Sequence, residues 1–118
     1  MKEEKFQVVN YIRKLIIAID NELVNFPKKD IELKNRIRNN SYDLLELAYE
    51  ANVTNNLDNK KILLEKILAK IKIVDFLLNL CYDKMIINNK KYVKFGESMD
   101  YIVKYTIGWI NSIKPNRA

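Results

Sequence analysis

Apolar residues recur along this chain at steps of three and four, the spacing that places them on one face of an α-helix. Phe6, Val9, Ile12, Ile16, Ile19 and Leu23 make the first such stripe and predict a helix over 3–25. Pro27 ends it. The residue before a proline is pushed out of the α region, so Phe26 is expected to be extended, its ring capping the core where the chain turns. Asp30 is placed to N-cap a second helix over 31–53, which carries Ile37, Leu44, Leu45, Leu47, Ala48 and Ala51 inward.

Residues 54–59 include three Asn and one Asp, side chains that hydrogen-bond their own backbone and favour turns, and predict the second loop. A third helix over 60–87 is the most apolar. Ile62, Leu63, Leu64, Ile67, Leu68, Ile71, Val74, Phe76, Leu77, Leu78 and Leu80 cover more than one narrow stripe, so this helix is expected either to be central or to face a second subunit. Asn88-Asn89 interrupts the pattern. A fourth helix over 90–113 then presents Val93, Met99, Ile102, Tyr105 or Thr106, Trp109 and Ile113 before Pro115 closes it. Short loops between long helices imply antiparallel neighbours, hence an all-α, up-down-up-down four-helix bundle in a single domain over 1–118.

Composition sharpens this picture. A chain of 118 residues buries a real core without disulfides or metals, and two Gly and two Pro leave little material for turns. The single Cys81 lies in the apolar stretch 76–81, which predicts a buried, inert thiol and fits a reducing cytosol. Residues 1–5 carry charges of both signs and lack the apolar core of a signal peptide. The apolar runs, such as 15–19, are too short to span a bilayer. The expectation is a soluble, cytoplasmic protein with no membrane partner.

With no His in the chain, neither a Ser-His-Asp nor a Cys-His nucleophile can be assembled, and the usual zinc and di-iron ligand sets are missing. Glu46 and Glu50 stand four apart and share a helix face, but two solvated carboxylates are the stronger reading than a cation site. No Gly-rich loop cradles a phosphate. The sequence therefore points to a non-enzymatic protein without metal or cofactor.

The formal net charge of +6 turns attention to polyanions, because clustered cations release counterions from a phosphate backbone. The joint abundance of Asn, Ile and Lys is also what AT-rich coding produces, and that bias raises the charge with no functional cause. Of the 21 basic residues only Arg13, Arg36, Arg38 and Arg117 are arginine, so bidentate phosphate recognition is not prominent. Lys28, Lys29, Lys34, Arg36 and Arg38 open the second helix, Lys60, Lys61, Lys66, Lys70 and Lys72 dominate the first half of the third, and Lys84, Lys90, Lys91 and Lys94 flank the last turn. On antiparallel helices the first and last of these clusters fall at one end of the bundle. Any individual lysine is more simply part of a solvated surface. Seven Tyr offer base-stacking platforms, although Tyr42, Tyr49, Tyr101 and Tyr105 are more simply boundary residues with a wet hydroxyl.

Taken in order, Phe26-Pro27-Lys28, Arg36-Ile37, Leu45-Glu46-Leu47 with Ala51-Asn52, and the terminal Gly108-Trp109-Ile110 resemble the Avd-like four-helix bundle proteins. These are the accessory subunits of diversity-generating retroelements, together with relatives encoded in 23S rRNA intervening sequences. Lys104 stands at the arginine of the family's terminal motif, Val103 and Ile107 at its first two glycines, and Asn79 where the family tends to carry arginine. The resemblance implies a homopentamer, five bundles in a barrel with a basic exterior, that binds a reverse transcriptase and RNA without catalysing anything itself. The basic clusters at the two turns, with Lys104 at the motif's arginine, make Lys28, Lys29, Lys34, Arg36, Arg38, Lys84, Lys90, Lys91, Lys94 and Lys104 the binding candidates. Phe26, Pro27, Gly108 and Trp109 are the structural motif. A scaffold of the intervening-sequence type, with no reverse-transcriptase partner, is the competing reading.

Overall fold

Burial of one apolar stripe per helix organises residues 2–113, the part of the chain that the computed structural model describes, with side chains from residue 4 onward. Helix α1 runs Lys2–Leu23, a single 3-10 turn covers Lys28–Asp30, and α2 (Ile31–Val53), α3 (Leu57–Asp83) and α4 (Asn89–Ser112) follow. There is no strand among the described residues, and no helix is long and apolar enough to cross a membrane. Each helix packs on two others: α1 on α2 and α4, α3 on α2 and α4, with no backbone approach along either diagonal. The resulting four-helix bundle measures 57 × 23 × 18 Å, a cross-section two helices by two. Helix α3 is thus no more central than its neighbours.

The core is aliphatic. Val8, Ile12, Leu15 and Ile19 of α1, Ile37, Leu44, Ala48 and Ala51 of α2, Leu64, Ile67 and Val74 of α3, and Ile102 of α4 are buried together, with Phe95, Met99 and Trp109 completing the α4 face. Phe6, which the sequence stripe places inward, does not join them; it is 70% exposed. The inward face instead takes Val8 and Leu15, one helical step round, which satisfy the same spacing. Ile62, Phe76 and Val93 are likewise exposed. Leu45, Leu47 and Ile113 are half-buried against the core.

Helix ends account for the other departures from the sequence expectation. The side chain of Asp30 makes no cap hydrogen bond, although α2 begins directly after it. Its carboxylate turns to Lys84 at 3.3 Å instead. Helix α3 starts at Leu57, not after residue 59, because the Asn56 side chain accepts from the Asn59 backbone N–H at 3.0 Å and so caps the helix inside the polar segment. It ends at Asp83, not 87. Met85 takes a left-handed φ of 63°, and the Ile86 and Met85 N–H groups reach back to the carbonyls of Cys81 at 2.8 Å and Tyr82 at 3.0 Å, which closes the helix despite the apolar Ile86 and Ile87. Asn88 caps α4 by accepting from the Lys91 N–H at 2.8 Å. Phe26 is half-buried against the core beside Pro27, as its place before the proline suggests. Pro115 and Arg117 lie outside the described residues.

Exposed apolar residues line up on two outward faces. On α1, Phe6 and Ile17 recur at a step of 11 along one line with Arg13 between them, and both are exposed, as is Val24 in the turn just after the helix. On α3, Ile62, Ala69, Ile73 and Phe76 do the same at steps of 7, 4 and 3. Because α1 and α3 are diagonal, these stripes lie on opposite sides of the bundle.

Candidate nucleic-acid interface

The candidate basic residues gather mainly where the turn after α1 meets the turn between α3 and α4. Lys28 and Lys29 form the 3-10 turn that ends in Asp30, and the Asp30–Lys84 ion pair brings that turn against the end of α3. Lys91, three residues into α4, reaches Glu22 near the end of α1 at 3.0 Å. Lys90 and Lys94 flank it on the same stretch of helix. Lys34, Arg36 and Arg38 continue along α2. Lys104 does not belong to this end. It lies 13 residues beyond Lys91, roughly 20 Å along the helix axis, with its ammonium 5.5 Å from the centre of the Tyr105 ring.

Electrostatics divide the set. Lys84 and Lys91 are matched to carboxylates, and Arg38 lies 3.9 Å from Asp20 while donating to the Tyr42 hydroxyl at 3.4 Å. The Tyr42 contact first, and Asp20 to a lesser degree, hold the Arg38 guanidinium in its charged form. Among the described residues Lys28, Lys29, Lys34, Arg36, Lys90 and Lys94 meet no carboxylate, which leaves their charge to the solvent. Of the helix-three lysines, Lys70 is engaged with Asp43 at 3.2 Å and with Asn40 at 3.1 Å, across the α2–α3 seam.

The residues of the terminal motif lie in the packing. Trp109 is 4% exposed and shares the inward face with Ile102 and Thr106. At Gly108 a β-carbon would lie 2.8 Å from Cγ of Glu4, so the missing side chain admits the Glu4 stem of α1. Cys81 is buried, and desolvation pushes its thiol up to about 11, far from the thiolate that reactivity requires. Among the described residues no group of three His, Cys, Asp or Glu side chains converges on a point that would hold a metal.

Sequence reasoning missed an aromatic cluster across the α1–α4 seam. The Tyr11 ring stacks on Tyr101 at 4.9 Å and on Tyr105 at 5.7 Å, with ring planes within 11°. Tyr101 and Tyr105 sit on successive turns of α4, a signal visible in the sequence, but Tyr11 is 90 residues away and nothing local ties it to them. No protein-family model matches the chain, and neither a curated protein nor a solved structure does.

Proposed function

We propose that this chain is a non-catalytic, basic, oligomeric accessory protein that binds RNA and a reverse transcriptase, in the manner of the Avd-like subunits of diversity-generating retroelements. The observation that carries the reading is the basic end of the bundle. Lys28, Lys29, Lys34, Arg36, Lys90 and Lys94 keep their charge unspent there while the ion pairs of Lys84 and Lys91 fasten the turns together. Such a surface suits phosphate contacts that position a nucleic acid without reading its bases.

An antiparallel, up-down-up-down course of the helices is part of this proposal. It is supported by pairs whose residue numbers fall on one helix as they rise on the other: Tyr11 with Tyr101 and Tyr105, then Glu22 with Lys91. A ring is supported by the two outward apolar stripes. A head-to-tail ring needs two different, complementary patches on opposite sides of each subunit, and the exposed Phe6 and Ile17 of α1, with Val24 just after it, belong to the helix diagonal to the one that carries Ile62, Ile73 and Phe76. Five copies would multiply individually weak phosphate contacts into useful affinity.

The intervening-sequence type of scaffold is favoured by one observation, that Arg38, Lys84 and Lys91 face carboxylates of the same chain. The two readings separate in a binding titration. RNA affinity of the parent should be weakly sequence-selective and fall steeply with salt, and charge reversal at Lys28, Lys29, Lys34, Arg36 and Arg38 together should weaken it with the helical circular dichroism unchanged. An unchanged affinity in that variant moves the contacts elsewhere; a parent that binds no RNA leaves the scaffold.

A further inference from the structure

Between α1 and α4 runs an open groove of about 430 Å³. Ala18 and Ser98, small side chains on the two helices, line it together with the buried Phe95, Tyr11 and Tyr101. Lys14 and Lys94 line it as well, one from each helix, and the Glu22–Lys91 ion pair contributes to the same lining. Tyr101 stacks on Tyr11 yet remains 45% exposed. The Lys14 ammonium is held 5.4 Å from the centre of the Tyr11 ring, so cations and flat aromatic surface lie side by side.

We propose that this groove docks one nucleotide of a single RNA strand, its base stacked on Tyr101 and its phosphates between Lys14 and Lys94. The proposal rests on the RNA-binding reading and deepens it by assigning a site away from the Lys28–Arg38 segment. Three features select this ligand chemistry. The nearly parallel Tyr11, Tyr101 and Tyr105 planes offer a π-surface that accepts any base, which is how proteins hold single strands without sequence preference. The two lysines on facing helices match an anion on either side of a planar group, while Glu22 is neutralised by Lys91 and only Glu97 opposes them on the lining. The third is the small size of Ala18 and Ser98 on the lining, where larger side chains would narrow the seam. A base-paired strand cannot present an unstacked face to Tyr101, so a duplex is excluded from the site.

The test is a titration of the full chain with labelled single-stranded oligouridine, with the duplex of the same length as a second probe. Tyr101→Leu keeps apolar packing and removes the ring; it should weaken single-strand binding about tenfold, within the range for loss of one base stack, with the dependence on salt unchanged. Lys14→Gln with Lys94→Gln should lower the salt slope by about 0.7 for each phosphate that is no longer neutralised. The parent should prefer the single strand over the duplex, and ultraviolet cross-linking of oligouridine to the parent should label Tyr101 or Tyr11. That last measurement stands even where Tyr101→Leu fails to fold. Equal affinity of parent and Tyr101→Leu, cross-links confined to 28–38, or displacement of the RNA by polyglutamate at equal charge overturns the groove while leaving RNA binding itself intact. A parent that binds neither probe overturns both.

Discussion

Trp109 and Thr106 sit one turn apart on the inward face of α4, and substitutions at the two should move stability in opposite directions. The indole is the only Trp of the chain and is all but buried among the aliphatic core. Truncating such a side chain leaves a cavity, and Trp109→Ala should cost roughly 3 to 5 kcal/mol, a large part of a small domain's stability, as read by chemical denaturation. Loss of partner binding should follow only from loss of fold or assembly. A well-folded, fully assembled Trp109→Ala chain that fails to bind its partner would instead make this residue part of the recognition surface. Thr106 is fully buried, and its hydroxyl meets no hydrogen-bonding partner among the described residues. The isosteric Thr106→Val removes a desolvated polar atom without opening a cavity, so it should raise stability by about 1 kcal/mol. A loss of stability would mean that the hydroxyl is satisfied.

At the scale of the helices, α4 carries both glycines, and they play different parts. Gly108 makes room for Glu4, whereas a β-carbon on Gly96 would meet nothing within 4 Å. Gly96→Ala should therefore add about 0.5 to 1 kcal/mol through helix propensity, measured by thermal melting of the isolated protein. A loss would show that another chain closes on that backbone. The helices were legible in the sequence where a single strong signal marks each boundary. Pro27 followed by Asp30 marks the observed start of α2, even though the Asp30 carboxylate is spent on Lys84 and not on the cap. The ends of α3 were not legible, for two physical reasons. An asparagine-rich segment reads as a turn until one of its members is seen to cap a helix, and a closing turn through a left-handed methionine carries no sequence mark of the kind that glycine would give.

For the whole molecule, legibility followed sequence distance. The meeting of the Lys28 turn with the Lys84 turn follows from helix lengths and loop order alone. The Tyr11–Tyr101 stack depends on the relative rotation of α1 and α4, which no local pattern encodes. Rotation also decides which side of a broadly apolar helix is left over. The α3 sequence promised either a central helix or a second face, and the bundle gives it two packed neighbours and an exposed stripe of Ile62, Ala69, Ile73 and Phe76. With the exposed α1 residues on the diagonal helix, these are the residues that the proposed head-to-tail ring would bury. Light scattering on the eluting protein, run with single-stranded RNA in moderate salt, tests the account most directly because it reads assembly and RNA binding together. The account predicts a protein mass of about five times the 14.0 kDa of one chain, with RNA in the same peak. A peak at the mass of one chain, with the RNA eluting apart from it, would contradict it.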